Sequence, residues 1–318
     1  MNNCKNIWVM SEAAKDYPAL CTLARTLCTT EDAKVNALWI GSTNDQAALE
    51  TAGADRLADI ERSEEELFEN YSGCAIGTIC GDSPDAVLLA TSKRMRLLAA
   101  QLAAALETRV INDATALVQE EQGLLAEHMV YGGSALRRER VSRAPAVVLV
   151  SDSLLLALAT DDRATATTTV SERIVSPEGS SGITLQSRKA RTVEAVNLAS
   201  VPCVISVGRG FEKQEDLQLA QQLADCLQAE IGCTRPIAEG MGWMSHERYI
   251  GVSGAMLKPE LFIAVGLSGQ IQHMVGANRA RTIIALNNDK NAPIFRQADY
   301  GIVGDLYAVL PRLSEALR

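Results

Sequence analysis

Two short apolar runs near the C-terminus, each ending in glycines and polar residues, place the strongest constraint on how this chain folds. Leu261–Leu267 leads into the run SGQIQH, and Thr282–Leu286 leads into NNDK. Runs of this length and composition predict buried strands of a parallel sheet. In an open α/β sheet, ligands bind in the crevice beyond the carboxyl ends of the strands. The stretch therefore predicts a fold class and the edge of the sheet where a site lies.

Strand and helix patterns alternate through the first half of the chain. Apolar runs predict strands at Asn6–Met10, Val35–Ile40 and Asp85–Ala90, and helical spacing of leucines predicts helices at Pro18–Cys28 and Lys93–Leu106. Two further strands are predicted, with a Gly-Gly turn between them: Ala126–Tyr131 and Ala144–Val150, joined at Gly132–Gly133. Such alternation is typical of a mainly parallel sheet wrapped by helices.

The pattern fades between Ala159 and about Ala195, where Thr-rich and Pro/Gly/Ser-rich stretches occur. It restarts with predicted strands at Pro202–Val207 and Glu230–Cys233 and predicted helices at Glu215–Gln228 and Asp305–Leu317. We therefore predict an α/β protein of two domains, 1–190 and 191–318, each a mainly parallel sheet flanked by helices.

Composition excludes several classes of function. Thirty basic and 39 acidic residues give a net charge of -9, which argues against binding nucleic acid or an anionic membrane surface. The eight cysteines include no CxxC pair, so no zinc or iron–sulfur site is indicated, and buried reduced thiols are expected. Neither a signal peptide nor an apolar run of roughly 18 residues is visible, so we expect a cytoplasmic protein without a membrane span.

Two motifs place arginine at predicted strand ends. In Gly208-Arg209-Gly210, glycines let the backbone approach a ligand, and Arg209 could bind a pyrophosphate by its planar guanidinium. In Thr234-Arg235-Pro236, a fixed guanidinium could stabilise an anion. The alternatives are a tight turn with a solvated Arg209, and a surface salt bridge for Arg235.

The remaining candidate residues follow in three segments. Ile250, Gly251, Val252 and Ser253 form a loop that could present a hydroxyl and backbone N–H groups, or simply a turn. After the strand at Leu261, a glycine turn leads into a polar run, and the candidates there are Gly266, Ser268, Gly269, Gln270, Ile271, Gln272 and His273. Asn287 and Asp305 complete the set with Leu306, although Asp305 could be a plain helix N-cap.

These motifs, in this order and spacing, resemble the α subunits of electron transfer flavoproteins. The matching segments are GRG, TRP, YIGVSG, LFIAVGLSGQIQH and NNDKNAPIF…ADYGIVGDL, which cover essentially all of residues 200–318. Asn112-Asp113-Ala114-Thr115 and Tyr131-Gly132-Gly133 fit the same family in the first domain. The chain looks most like an enteric branch associated with anaerobic acyl-CoA or carnitine redox operons.

The resemblance implies a Rossmann-like C-terminal domain that binds FAD. It places Arg209 near the phosphates, Thr234 and Arg235 by the isoalloxazine, and the hydroxyl of the loop Ile250–Ser253 near flavin N5. The segment Ser268–His273 would bind the FAD tail, with His273 donating to flavin O2. Asn287 would lie toward the adenosine end, and Asp305 with Leu306 would complete the site. Two positions depart from the family, which often has glutamine at Val252 and serine at Thr234.

The resemblance also implies a heterodimer with a β subunit. Residues 1–190 would form a nucleotide-hydrolase-like domain that has lost its nucleotide and packs on that partner. Electrons would pass between an acyl-CoA dehydrogenase-type donor and a quinone oxidoreductase-type acceptor, with no catalytic residue in this chain. The alternatives are a flavin- or nicotinamide-dependent oxidoreductase acting on a small substrate, and a nucleotide-binding sensor holding AMP or NAD. Within the flavin class, a bifurcating complex with a second FAD in the partner remains open.

Overall fold

A computed structural model describes the protein over residues 4–41, 49–62, 66–159, 170–174, 185–187, 196 and 198–318. The chain divides into two compact units. Unit 1 comprises Met1–Val130 and Leu136–Lys189, and unit 2 comprises Tyr131–Ala135 and Ala190–Arg318. The boundary predicted near residue 190 falls among residues 188–195, which lie outside the described part, so the domain bounds stay a prediction.

Unit 1 is built on a nine-stranded sheet. Its strands are β1 (Asn6–Met10), β2 (Lys34–Gly41), β3 (Arg56–Glu61), β4 (Ala86–Ala90), β5 (Val110–Glu120), β6 (Gly123–Val130), β7 (Ala135–Val141), β8 (Ala146–Val150) and β9 (Val170–Ile174). They lie in the order β7-β6-β5-β8-β4-β1-β2-β3-β9. The pairs from β5 through β8 to β9 are parallel, and β5 with β6 is antiparallel.

Helices cover both faces of this sheet because its central strands are apolar on both sides. The helices are α1 (Tyr17–Leu27), α2 (Ser72–Gly81), α3 (Lys93–Ala105) and α4 (Asp152–Ala159). Along β1, Ile7 and Val9 belong to one buried cluster with α1 and α4, whereas Trp8 and Met10 belong to another with α2 and α3. Because successive side chains of a strand point to opposite faces of the sheet, β1 contributes to a separate hydrophobic core on each face.

An aspartate placed just before a strand recurs in both units and fixes strand register. Asp55, Asp85 and Asp299 each precede a strand, and each backbone N–H donates to the neighbouring strand at 2.7–2.9 Å. Each carboxylate in turn accepts a backbone N–H of that neighbour, at 2.7 Å from Val35, at 3.0 Å from Asn6 and at 2.8 Å from Ile283. The carboxylates therefore accept hydrogen bonds from N–H groups at the start of the neighbouring strands, beyond the first backbone hydrogen bond of each strand pair.

Unit 2 contains a five-stranded sheet in which all pairs are parallel. Its strands are β10 (Cys203–Val207), β11 (Glu230–Cys233), β12 (Leu261–Val265), β13 (Thr282–Asn287) and β14 (Tyr300–Val303), and its helices are α5 (Leu217–Leu227), α6 (Ile271–Met274) and α7 (Leu306–Ala316). The strand order is β11-β10-β12-β13-β14. The order reverses between β10 and β12, and such a switch point opens a crevice at the carboxyl ends of the strands.

The predicted α/β class with two mainly parallel sheets is confirmed. The order of unit 2 is that of the flavodoxin type of doubly wound sheet rather than the dinucleotide-binding Rossmann order, because the second strand lies outside the first. The strand and helix predictions named above are confirmed to within a few residues. The predicted turn at Gly132–Gly133 is present, but an additional strand, β7, lies between this turn and the strand at Ala146.

Strand β9 occurs within the region in which the alternation was predicted to fade, and it pairs with β3. The predicted loop at Pro177–Gly182 lies outside the described residues. All eight cysteines are free, and burial raises the pKa of the Cys4, Cys21 and Cys233 thiols to about 12. Within the described part, no helix has the length and apolarity to cross a bilayer, and no group of three or more His, Cys, Asp or Glu could hold a metal ion.

We expect Asp55→Ala to lower the free energy of unfolding by about 1–2 kcal/mol, because the carboxylate binds both the Val35 N–H and Arg25 in a half-exposed setting. Burial alone would raise the pKa of Asp55, but the bonds from Arg25 and Val35 hold it below its usual 3.8. The carboxylate therefore stabilises the fold above pH 3.8, and this contribution is lost as the pH falls through the lower folded pKa.

Urea unfolding over a range of pH measures this effect. Asp32→Ala is the matched control, because Asp32 is an exposed aspartate of the same unit whose carboxylate pairs with the Lys5 ammonium at 3.4 Å. An equal loss of stability in both variants would contradict the role assigned to Asp55.

Candidate functional site

A cleft of about 1230 Å³ lies at the carboxyl ends of the strands of unit 2. It is larger than the roughly 300–1,000 Å³ of pockets that hold drug-sized ligands. The structure brings most of the predicted residues together there: Arg209, Thr234, Arg235, Val252, Ser253, Gly266, Ser268, Gly269, Gln270, Gln272, His273, Asn287, Asp305 and Leu306. Ile250, Gly251 and Ile271 are not part of its lining.

The base of the cleft is a backbone contact between the ends of β10 and β12. The Gly210 N–H donates to the Gly266 carbonyl at 2.8 Å, and the Gly208 N–H donates to Val265 at 3.0 Å. A Cβ on Gly210 would lie 2.6 Å from the Gly266 Cα, and Gly266 itself has a φ of 62°. Only glycine allows this approach, which places Arg209 at the switch point of the sheet.

Thr234 offers an unused hydroxyl at the end of β11. Its Oγ1 is buried and has no hydrogen-bond partner among the described residues, although the residue lines the cleft. An unpaired buried hydroxyl is costly, so a polar ligand atom is the natural partner. Arg209 is also free of any carboxylate partner within the described part of the chain, and a cation of this kind attracts a phosphate.

Arg235 lies at the cleft but is already paired. Its Nε donates to Glu239 Oε2 at 2.6 Å, and the Nε2 of His246 lies 3.2 Å from Glu239 Oε1. Two interpretations of Arg235 came from the sequence: a surface salt bridge and a contact with a ligand. The ion pair with Glu239 agrees with the first, and the position of Arg235 in the lining agrees with the second. The hydrogen bond to Glu239 raises the pKa of Arg235 above its usual value.

The loop that follows Tyr249 meets the cleft with two of its four predicted residues. Ile250 is fully buried in the core of unit 2, and its carbonyl accepts from His273. Gly251 is buried beneath the loop, and the next residue, Val252, donates its N–H to the Gln272 carbonyl at 2.9 Å. Val252 and Ser253 are exposed at the cleft, so Ile250 contributes packing rather than a ligand contact.

His273 is buried, with 7% of its surface exposed, and both ring nitrogens have partners in the protein. Nδ1 lies 2.9 Å from the Ile250 carbonyl oxygen, and Nε2 lies 3.2 Å from Ser206 Oγ. A carbonyl can only accept, so Nδ1 carries the hydrogen, and in the neutral ring Nε2 accepts from the Ser206 hydroxyl. Burial lowers the pKa of His273 from 6.5 to about 4, although the bond to Ile250 opposes this.

The neutral ring therefore has no N–H left for a cofactor. The donor role predicted for His273 toward flavin O2 requires the imidazolium form, or the other neutral tautomer with a different partner at Nδ1. Nearby, Ile271 is half exposed on the short helix α6 and is not part of the lining. Its adjacent residues Gln270 and Gln272 do line the cleft.

The far end of the cleft is formed by β13 and the start of α7. Asn287 donates its amide to the Leu267 carbonyl at 2.8 Å and so ties two strand-end loops together. Asp305 accepts the Tyr307 N–H at 3.0 Å, so the N-cap alternative is confirmed, and the residue also lines the cleft. Leu306 is mostly buried and contributes apolar surface.

Sequence reasoning missed several residues of the cleft and one buried residue, Ser206, that bonds to its lining. Glu239 follows Arg235 by four positions, a spacing that predicts an ion pair on one side of a helical turn. Ser206 is a fully buried polar residue in an otherwise apolar strand, which signals a hydrogen-bonding role. Tyr307, which donates to Asp216 at 2.7 Å, gives no signal in the sequence.

These features fit a dinucleotide cofactor such as FAD. The volume exceeds that of pockets for drug-sized ligands, Arg209 lies at the glycine-lined switch point, and the Thr234 hydroxyl lacks a partner among the described residues. Arg209 would hold phosphate, and Thr234 and Ser253 would supply hydroxyl groups to a polar ring edge. When bound, FAD would supply one-electron and two-electron redox chemistry.

We expect the His273 ring to stay neutral from about pH 8 to about pH 5, because burial places its pKa near 4. Two-dimensional NMR of the imidazole measures this, with His273→Gln used to assign the signal. The chain unfolded in urea is the control, in which the same ring should titrate near 6.5. A midpoint near 6.5 in the folded protein would contradict the buried, doubly bonded ring.

Comparison with known proteins agrees with the geometry. The family model described as the electron transfer flavoprotein FAD-binding domain matches residues 197–278, and the electron transfer flavoprotein domain matches residues 15–178. The chain is 40% identical over 319 residues to Protein FixB of Escherichia coli O7:K1 and of Shigella flexneri, covering 100% of this chain and 99% of each relative.

Among solved structures, one assigned as a thiamin diphosphate-dependent enzyme of Mycobacterium smegmatis is 11% identical, with a TM-score of 0.23. That alignment covers 97% of this chain and 59% of the other chain, and the score is too low to support an argument. Because both family models match and the 40% identity to FixB extends over the full length, this chain belongs to the electron transfer flavoprotein family, as an α-type member with an FAD-binding domain.

Proposed function

We propose that this chain binds FAD in the cleft of unit 2 and carries electrons in the cytoplasm as one subunit of a heterodimer. The partner is an electron transfer flavoprotein β subunit. Electrons arrive from an acyl-CoA dehydrogenase-type flavoprotein and leave to a quinone oxidoreductase-type acceptor. The cofactor contacts are those predicted from the sequence, with two exceptions. Ile250, Gly251 and Ile271 act by supporting the lining, and the neutral His273 ring lines the cleft without donating to the flavin.

The observation that carries this proposal is the combination of an unpaired hydroxyl and an unpaired cation at one switch point. Thr234 Oγ1 and the Arg209 guanidinium are both left for a ligand within the described residues. The cofactor phosphate would pair with the Arg209 guanidinium, and the polar edge of the flavin ring would bond to the Thr234 hydroxyl. A glycine-built base permits the close approach that a dinucleotide needs.

The cleft favours electron transfer over direct conversion of a metabolite. A general base must be free to reach the proton that it removes. Here the His273 ring bonds to Ser206 and Ile250, and the Glu239 carboxylate bonds to Arg235 and His246. These groups are engaged with one another, so they support a fixed electrostatic environment rather than proton abstraction.

Unit 1 supports the proposal in a different way. At the N-terminus of α3, where a phosphate would meet the helix dipole, the Glu12 carboxylate accepts from the Ser92 hydroxyl and pairs with Arg94 at 2.9 Å. A carboxylate in that position fills the place of an anionic ligand. This favours a role for residues 1–190 in packing on the partner subunit rather than in binding a nucleotide.

Reduction of the FAD-loaded protein by an acyl-CoA tests the function. With the acyl-CoA alone, we expect the absorbance of the oxidised flavin to persist. When a catalytic amount of an acyl-CoA dehydrogenase is added, we expect this absorbance to bleach as the flavin is reduced. Bleaching without the dehydrogenase would instead support a flavin-dependent oxidoreductase. A purified protein that shows AMP or NAD in place of a flavin spectrum would support the nucleotide-sensor alternative.

We expect Arg209→Ala to weaken FAD binding by about 10–100-fold, because a charge-assisted hydrogen bond contributes about 1.5–3 kcal/mol. The loss should shrink as ionic strength rises, since salt screens the contact between the guanidinium and phosphate. Flavin fluorescence during titration of FAD into the FAD-free chain measures the affinity.

Arg281→Ala is the matched control. Arg281 is an exposed arginine of the same unit that pairs with Glu260 at 3.0 Å and does not line the cleft. Equal FAD affinity in the Arg209 and Arg281 variants would contradict a phosphate contact at Arg209.

A further inference from the structure

Glu239 joins two basic side chains at the edge of the cleft. Its Oε2 accepts from Arg235 Nε at 2.6 Å, and its Oε1 lies 3.2 Å from His246 Nε2. We call these three residues the Glu239 cluster. Because each carboxylate oxygen has its own partner, rotation of the carboxylate would break one bond or the other.

The cluster stands on a rigid turn. Pro236–Gly240 forms a single π-helical turn, closed by the Met241 N–H donating to the Pro236 carbonyl at 2.8 Å. Ile237 is fully buried and anchors the turn in the core of unit 2. Single π turns occur frequently at functional sites, and this one places residues 235 and 239 on the same side. The orientation of Arg235 is thus set by backbone and carboxylate together.

The charge that the cleft offers to a ligand depends on this carboxylate. Both Arg235 and Glu239 line the cleft, and their side chains are 64% and 37% exposed. The hydrogen bond from Arg235 lowers the pKa of Glu239, so the pair stays ionised at neutral pH and its net charge is zero. Arg209, in contrast, meets no carboxylate among the described residues.

We propose that Glu239 is a positioning residue: it fixes the guanidinium of Arg235 at the cleft and offsets its charge, and thereby sets how strongly the cleft stabilises an anionic cofactor. This rests on the proposed placement of FAD in the cleft. Removing only the negative charge of Glu239 should stabilise the reduced, anionic form of the cofactor. Removing the carboxylate group altogether should also release Arg235.

Two variants separate these effects. Glu239→Gln keeps an acceptor oxygen for Arg235 Nε but loses the charge, whereas Glu239→Ala loses both. Glu260→Gln is the matched control, because Glu260 is an exposed glutamate of unit 2 that pairs with Arg281 away from the cleft.

The first measurement needs no cofactor. Phenylglyoxal modification of Arg235 in the FAD-free full-length chain, followed by mass spectrometry, should be several-fold faster in Glu239→Ala. It should match the wild-type rate in Glu239→Gln and Glu260→Gln. An unchanged rate in Glu239→Ala would overturn the positioning role.

The second measurement is the midpoint potential of bound FAD. It should shift to a more positive value in Glu239→Gln, relative to both the wild type and Glu260→Gln, and lie lower in Glu239→Ala than in Glu239→Gln. Equal potentials in Glu239→Gln and Glu260→Gln would overturn the proposal.

The variant Arg235→Gln distinguishes an error in this inference from an error in the proposed function. If it lowers the potential while Glu239→Gln has no effect, only the role of Glu239 is wrong. If FAD binds yet Arg235→Gln changes neither the affinity nor the potential, the FAD does not lie beside Arg235, and this inference fails while the proposed function stands. Failure of the wild-type protein to bind FAD would overturn the proposed function itself.

Discussion

The backbone contact between Gly210 and Gly266 is the constraint on which the cleft depends. The hydrogen bond of 2.8 Å between them joins the ends of β10 and β12 at the point where the strand order reverses. A side chain on either glycine would collide with the other loop. Because the two loops are fixed by main-chain atoms, Arg209 and Ser268 reach the cleft without needing side-chain partners to hold them there.

Around that base, the cleft combines polar groups that are free with polar groups that are satisfied. Arg209 and the Thr234 hydroxyl are available to a ligand, whereas His273 and Glu239 are engaged with protein partners. A carrier needs a fixed electrostatic environment around its cofactor, because dipoles that are already oriented need not reorganise when charge arrives. The buried neutral histidine and the paired glutamate both serve that requirement.

Much of this could be predicted from the sequence because the informative patterns are local. Apolar runs followed by glycine, as at Leu261–Leu267, identified strands and the rim that they form. Strand β7 was missed because it is a mostly exposed edge strand without the alternation of a buried face. The partners of His273 were also missed, since Ser206 and Ile250 lie 67 and 23 residues away and only the folded sheet brings them together.

Hydrogen–deuterium exchange with and without FAD tests the central claim most directly, because it locates the cofactor without altering the chain. The account predicts that FAD slows exchange at the strand-end segments 208–212, 234–240, 249–254, 266–274 and 304–307, all of which contribute to the cleft. Exchange in the β1 and β4 ends of unit 1, around Glu12 and Ser92, should not change. Protection confined to those unit 1 segments, with the cleft of unit 2 unaffected, would contradict the account.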